Sequence, residues 1–270
     1  MNKTQYRLIK KTVSYFSLLV ERISLCVGSM APPLLPWKVR QKKFLTHDVF
    51  ELILARPEGF EFEAGQYLSI VVPGAGPGGR NLRRAYSIAS PPETPDLELC
   101  IKIVPGGPGT TYLNSLNEGS ELQAQGPFGD FVLDHDQSLP CMFIGTGTGI
   151  APLRSMILSK QWNSTAPVAF LLGVRAEQDI VYPELFSNDR PKALAQHSHV
   201  KIALSRPTGP WTGYRGRVTD YLRDLQAKAE WNLAQTHYYL CGSGAMIAEV
   251  KELLGAQGVA KEQIHMEKYF

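Results

Sequence analysis

The stretch PCMFIGTGTGIAPLRSM, residues 140–156, divides the chain into two rhythms. Its first part is a short apolar run of the kind that a strand buried on both faces needs, and APLRSMILSKQW (151–162) continues with helical spacing. Between them, GTGTGIAP (145–152) sets Gly145, Gly147 and Gly149 where strand gives way to helix. Glycine lets backbone approach a ligand closely, and the free N–H groups of a helix N-terminus favour a phosphate. The spacing is not GxGxxG: counted from Gly145, the last glycine position holds Ile150. The acidic residue that would hold an adenine ribose further on is also missing. An ordinary tight strand-to-helix turn is the plainer alternative for this segment alone.

Downstream the alternation persists. VAFLLGVR (168–175) precedes DIVYPELFSN (179–188), HVKIALSRP (199–207) precedes VTDYLRDLQAKA (218–229), THYYLCGSG (236–244) runs into AMIAEVKELLGAQG (245–258), and IHMEKYF (264–270) closes the chain. Apolar strands alternating with helices predict a parallel α/β sheet covered on both faces. In such a sheet ligands bind beyond the carboxyl ends of the strands. Gly145–Gly149, Arg175, Ser205-Arg206 and Cys241-Gly242 all fall at such ends.

Upstream the runs are shorter and turn-punctuated: VFELILARP (49–57), QYLSIVVP (66–73), RRAYSIAS (83–90), LELCIKIVP (97–105) and QGPFGDFVL (125–133), separated by PGAGPGGR (73–80), SPPETPD (90–96) and PGGPG (105–109). This punctuation predicts an antiparallel barrel or sandwich. Within it, RAYS sets Arg84, Tyr86 and Ser87 on one strand, where packing needs neither the guanidinium nor the hydroxyl. The domains expected are an extension over 1–35, a β-domain over 36–136 and an α/β domain over 137–270, with a hinge near DHDQSLP (134–140).

Composition narrows the function classes. The formal charge of +3 is too mild to indicate a nucleic-acid partner. Cys26, Cys100, Cys141 and Cys241 are widely spaced, which argues against an iron–sulfur cluster, a zinc site or a disulfide framework, so no resident metal is expected and the location expected is cytoplasmic. VSYFSLLVERISLCVG (13–28) is interrupted by Glu21 and Arg22 and is short for a span. Its spacing predicts a short amphipathic helix, read as a peripheral extension with membrane-surface contact through residues 1–28 as the alternative.

RAYS in a β-domain, then GTGTGIAPLRSM, then a strand ending in CGSG, then a terminal EKYF resembles, in this order, the ferredoxin–NADP(H) reductase superfamily over residues 38–270. The resemblance implies a Greek-key β-barrel holding FAD, followed by a five-stranded parallel α/β domain holding a nicotinamide nucleotide. It implies that Arg84 pairs with the FAD pyrophosphate, that Tyr86 stacks on the isoalloxazine and that Ser87 lies near flavin N5. In GGPGTTYLNSL it gives Gly107, Gly109 and Thr110 to the pyrophosphate, with Thr110 also suited to an N-cap. It gives Gly145, Thr146, Gly147, Thr148, Gly149 and Pro152 to the NAD(P) pyrophosphate, and Cys241 with Gly242 to the nicotinamide. Glu267 assists catalysis, and Tyr269 or the additional Phe270 covers the flavin. Ser205 and Arg206, joined by Arg175, Arg215 and Arg217, resemble a reader of a 2′-phosphate, so NADPH is expected, with NADH the alternative.

The activity implied is hydride transfer between NADPH and flavin N5, with single electrons passing to a separate carrier. A ferredoxin or flavodoxin is the expected partner, docking on basic surface such as Lys42, Lys43 or Arg83, and the protein is expected to be a monomer. The rivals are an NADH-dependent reductase component of an oxygenase or cytochrome system, and a non-catalytic flavin- or nucleotide-binding subunit.

Overall fold

A computed structural model describes residues 31–134 and 136–269. The helix expected over 13–28, and Phe270, lie outside the described residues.

Six antiparallel strands form the first sheet: β1 (Leu34–Phe44), β2 (Val49–Ala55), β3 (Tyr67–Val72), β4 (Leu82–Ser87), β5 (Asp96–Lys102) and β6 (Glu121–Phe128), in the order β4-β3-β6-β1-β2-β5. A bridge between Ile88 and Leu99 joins the two edges and closes the Greek-key barrel. Its interior is filled by Trp37, Phe50, Leu52, Leu54, Leu68 and Ile70, none of which reaches solvent. Each such side chain contributes about 1.5–3 kcal/mol by leaving water. The longest strand, β1, was not anticipated. Its sequence LLPWKVRQKKF contains a proline and four cations, and only Trp37 and Val39 turn inward, so its period-2 signal is too sparse to read.

The second sheet is parallel and six-stranded: β7 (Cys141–Thr146), β8 (Val168–Val174), β9 (His199–Leu204), β10 (Tyr214–Arg215), β11 (His237–Ser243) and β12 (Ile264–Tyr269), in the order β10-β9-β8-β7-β11-β12. Five strands carry it, as the resemblance implies. The sixth, β10, is a two-residue edge pairing of Tyr214 with Ala203 and Arg215 with Leu204, too short to leave a periodic trace in sequence. Helices α2 (Ile150–Leu158), α3 (Lys192–Ala195), α4 (Val218–Ala227) and α5 (Gly244–Ala256) cover the two faces, and α1 (Pro108–Ser115) belongs to the barrel. The expected helix over 179–188 is instead two 3-10 turns, Glu177–Asp179 and Pro183–Phe186. Pro183 withholds an N–H, and Tyr182 ahead of it adopts a left-handed φ of 51°, a backbone that cannot continue into a regular helix.

One face of this sheet is covered by Met142, Ile144, Leu222, Tyr238, Leu240, Val250 and Leu254. The other face, with Phe143, Phe170, Tyr239, Leu153 and Met156, runs on without a break into Val49, Ala64, Cys100 and Phe131 of the barrel. Strand order reverses between β7 and β11, and the crevice at that switch point faces the barrel residues that carry RAYS.

Candidate functional site

Strand β4 is an edge strand, and its residues Arg83, Arg84 and Ala85 are exposed while Ser87 is buried. The strand-like run read over 83–90 ends as a regular strand at Ser87, because Ile88, Ala89 and Ser90 all turn inward toward β5. The strand is therefore open along Arg84–Tyr86 and closed at Ser87. The Arg84 guanidinium makes one hydrogen bond, to its neighbour's carbonyl at Arg83 (2.9 Å).

Opposite this open edge starts α1. Its N-cap is Gly107, followed by Pro108, and not Thr110 as the sequence suggested. The Thr110 hydroxyl accepts from Val104 N–H (3.1 Å), pinning the turn before the helix. A Cβ on Gly109 would lie 2.8 Å from the Tyr86 hydroxyl and 3.0 Å from Arg84 Cγ. First-turn N–H groups, an arginine and a tyrosine thus converge on a glycine that leaves no room for a side chain. That cradle fits the diphosphate and ring of FAD: helix N–H donors and a guanidinium suit phosphate oxygens. Gly109→Ala is expected to displace Tyr86 and Arg84, at a cost of about 1–3 kcal/mol, so FAD should be retained about ten- to a hundredfold more weakly. The flavin-to-protein absorbance ratio after dialysis measures this.

On the α/β side the glycines sort into two jobs. A Cβ on Gly149 would fall 2.4 Å from the Cys241 carbonyl oxygen, and one on Gly242 (φ +139°) would fall 2.1 Å from Thr146 Oγ1. These two glycines let the β7 loop and the end of β11 pack backbone against backbone. Thr146 Oγ1 completes the join by accepting from Ser243 N–H (3.1 Å). Gly145 is tight against Ile150 N (3.1 Å). Gly147 differs: its φ is +54° and its Cβ direction meets nothing within 4 Å. Of the three glycines in GTGTG, Gly147 is the one open to a ligand, with Thr148 half-exposed beside it and Pro152 buried in the first turn of α2.

Between the two halves lies the most chemically specific cluster. Ser87 Oγ–H of the barrel donates to Glu267 Oε1 of β12 at 2.9 Å, across 180 residues of sequence. In the parallel register Glu267 sits beside Cys241, which itself sits beside Gly145. Burial pushes the Glu267 carboxyl above its ordinary value, partly offset by the Ser87 hydroxyl. Burial also lifts the Cys241 thiol well above its ordinary value, and the neighbouring Glu267 carboxylate adds to that. Cys241 is thus a neutral thiol with no access to solvent, not a thiolate nucleophile. The Tyr269 hydroxyl is likewise raised by burial and by its neighbours Cys241 and Glu267. A half-exposed cleft of about 350 Å³ opens alongside, lined by Tyr67, Gly129, Asp130, Phe131, His265, Met266 and Glu267.

The cations expected to read a 2′-phosphate are distributed along the far strand ends. Arg175, Ser205, Arg206, Arg215 and Arg217 are all exposed. Arg175 lies 3.8 Å from Asp179, Arg217 lies 3.7 Å from Glu249, and Arg215 reaches the Trp211 carbonyl (3.3 Å). Arg206 is held by its backbone, its N–H donating to the Arg175 carbonyl (2.7 Å). Sequence reasoning gave Glu177 no role. Its carboxylate accepts from Thr208 N–H and Oγ1–H (2.9 Å each) and from Gly209 N–H (3.1 Å), bonds that bring its pKa down to about 2. Glu177 thereby fixes the loop that presents Arg206.

Comparison with known proteins agrees with this geometry. Residues 36–133 match the oxidoreductase FAD-binding domain family and residues 143–252 the oxidoreductase NAD-binding domain family. The chain is 40% identical over 232 residues to ferredoxin–NADP reductase B of Sorangium cellulosum, covering 82% of this chain and 91% of that one. It is 31% identical to the reductase component of propane 2-monooxygenase from Rhodococcus jostii, covering 83% of this chain and 60% of the relative. Among solved structures, the Amycolatopsis cytochrome P450 reductase GcoB superposes with a TM-score of 0.74 at 30% identity, over 89% of this chain and 72% of that one. A Neisseria gonorrhoeae ferredoxin NADP+ reductase with bound FAD and NADP shares the fold at a TM-score of 0.74 and 23% identity, over 88% of this chain and 99% of that one. With an FAD-binding barrel, a nicotinamide-nucleotide domain and a part-buried Ser–Glu pair joining them, this flavoprotein oxidoreductase belongs to the ferredoxin–NADP(H) reductase superfamily.

Proposed function

We propose that the chain is an NADPH-dependent reductase that delivers electrons singly to a separate ferredoxin-type carrier. The observation that carries this reading is the Ser87–Glu267 hydrogen bond of 2.9 Å, which sets a titratable carboxyl where the flavin barrel and the nucleotide domain meet. FAD, when bound, supplies the chemistry of accepting an electron pair from a nicotinamide and releasing it in single steps. The division at residues 136/137 gives each half its own ligand. Arg84 and the first turn of α1 hold the flavin diphosphate, and Tyr86 covers its ring. Gly147 admits the nicotinamide nucleotide at the opening of α2, while the buried Cys241 thiol supports the nicotinamide face without ionising. Ser87 and Glu267 hold a proton at the meeting point, and Tyr269 shields the pair from water.

Arg206 favours NADPH over NADH. It is exposed and held by its backbone, and among the described residues its side chain makes no hydrogen bond or ion pair. A charge-assisted contact to phosphate is worth about 1.5–3 kcal/mol. Arg206→Ala is therefore expected to lower kcat/KM for NADPH about ten- to a hundredfold and to leave NADH unchanged, as steady-state kinetics with each nucleotide would show. An unaltered NADPH/NADH ratio removes Arg206 as the phosphate reader.

The acceptor assignment follows the ferredoxin–NADP reductase relative, while the propane monooxygenase and cytochrome P450 reductase relatives favour an oxygenase partner as the second reading. Cytochrome c reduction reconstituted with a ferredoxin or with a flavodoxin tests the first. No helix among the described residues is long and apolar enough to cross a membrane. We place the enzyme in the cytoplasm as a monomer, which size-exclusion chromatography of the purified protein tests.

A further inference from the structure

At the opposite end of β11 and β12 from Cys241, a second cluster of ligating groups remains unused by the redox site. Asp134 lies on the segment joining the two domains, His237 opens β11 and His265 is on β12. One ligand atom from each comes within 4.8 Å of the other two.

The imidazole nitrogens here are in an unusual condition. His237 Nδ1 and His265 Nε2 are both buried and both lack a hydrogen-bond partner. The nearest candidate, Asp134 Oδ2, is 3.9 Å from His265 Nε2, too far for a hydrogen bond. Buried polar atoms are normally satisfied. The other described histidines behave accordingly: His199 Nδ1 pairs with the Tyr221 hydroxyl (2.9 Å), His197 Nδ1 accepts from Val168 N–H (3.3 Å), and His47 is exposed.

The rings of the two orphaned histidines are nevertheless well oriented. His265 stacks on Tyr239 (4.8 Å, 12°) and faces His237 (5.9 Å, 22°). The Asp134 backbone is tethered to the Tyr239 hydroxyl (2.9 Å), and its Oδ1 accepts from Asp136 N–H (3.1 Å), which leaves Oδ2 turned toward the rings. Two imidazole nitrogens without hydrogen-bond partners and one carboxylate oxygen, converging, form a donor set for a borderline divalent ion.

We propose that Asp134, His237 and His265 bind a divalent transition-metal ion of the zinc class, with water completing the coordination. Zinc holds tetrahedral ligand atoms about 3.3 Å apart, so a present spacing of up to 4.8 Å must close by up to about 1.5 Å. Rotation of the Asp134 side chain, which is 35% exposed, supplies that movement. The cleft that His265 helps to line gives the ion an entry path. Bound there, the ion ties the interdomain segment to β11 and β12, with His265 on the same face of β12 as Glu267.

The test uses the purified full-length holoprotein, stripped with a chelator and titrated with zinc chloride by calorimetry. Cobalt(II) serves as a spectroscopic probe on the red side of the flavin band. One equivalent of zinc is expected to bind at micromolar concentration or below, to raise the Tm, and to give cobalt a four-coordinate spectrum. Asp134→Asn and His265→Ala should each weaken zinc at least about tenfold, while His47→Ala should not. Flavin content and circular dichroism establish that each variant is folded. If His265→Ala fails to fold, Asp134→Asn, which keeps the Oδ1 acceptor, decides the matter. The proposal is overturned if the wild type binds no zinc below millimolar concentration. It is equally overturned if affinity is unchanged in Asp134→Asn.

Discussion

Replacing Glu267 with glutamine is expected to slow NADPH-driven bleaching of the bound flavin by about a hundredfold or more, the range associated with loss of a positioned acid–base group. Glutamine keeps an oxygen to accept from Ser87 Oγ–H, now 2.9 Å from Oε1, but can neither take up nor release a proton. The loss should therefore fall on kcat with KM little changed. The pH profile separates this from a merely structural defect. Burial raises the Glu267 pKa, so in the folded protein the carboxyl stays protonated to a higher pH than an ordinary glutamate. The wild-type profile should carry a limb above the usual carboxylate range, and Glu267→Gln should lack it. Ser87→Ala keeps the limb and moves it further up: the Ser87 hydroxyl bond lowers the Glu267 pKa, so removing it pushes the limb to higher pH. The same shift has a stability sign. Between the ordinary and the raised pKa the folded state holds a proton that the unfolded chain has released, so this group's contribution falls as pH rises through that window. Stopped-flow traces across pH for the three proteins give the answer, and a glutamine variant with wild-type rate and profile would remove Glu267 from the chemistry.

Legibility from sequence followed the range of the signal. The order of RAYS, GTGTGIAP, CGSG and EKYF is a one-dimensional pattern, and it sufficed for both domains and for the partners that meet at Ser87, Cys241 and Glu267. What it did not distinguish was the packing demand on individual glycines. Gly149 and Gly242 serve each other's backbone, as their close approaches to Cys241 and Thr146 show, and only Gly147 is open. That distinction depends on a contact between residues nearly a hundred positions apart. Strand β1 escaped because four of its eleven residues are cations and only two turn inward, and the 3-10 turns after β8 escaped because an apolar DIVYPELF reads equally as helix. The roles of Glu51, Tyr182 and Arg154 left no trace at all. Each is unremarkable in its own segment, and their association exists only once the two domains pack.

That association carries the second large expectation, that Arg154→Met destabilises the protein by about 3 kcal/mol and loosens the domain contact. The Arg154 side chain projects from α2 with 15% exposure and donates to Glu98 Oε2 (2.6 Å) and to the Ala89 carbonyl (2.8 Å), both on the barrel. Its guanidinium lies 4.5 Å from the centre of the Tyr182 ring, and the Tyr182 hydroxyl donates to the buried Glu51 (2.9 Å). Ser155 Oγ–H adds a bond to the Ser90 carbonyl (2.7 Å). One cation thus balances two carboxylates that repel each other. The Glu51 carboxyl is already raised, first by burial and then by Glu98, with Arg154 acting in the opposite direction. Methionine would fill much of the volume but leave Glu98 without its ion pair and Glu51 with Lys43 as its remaining positive neighbour. A loss of this size corresponds to a fall in Tm of about 6–12 °C for a chain of this length. Because the Glu51 carboxyl, already raised, would lose the opposing influence of Arg154 and hold its proton in the folded state to still higher pH than in the unfolded chain, the deficit should deepen as pH rises from the ordinary carboxylate range toward neutrality. A simple packing defect would cost the same at both ends of that range. In a double-mutant cycle, Glu98→Gln should restore part of the stability lost in Arg154→Met, since it removes one of the two unbalanced charges. Additive losses with no pH dependence would mean that the arginine acts through its hydrocarbon stem, and that the domains are held by the shared apolar core of Val49, Cys100, Phe131 and Met156 alone.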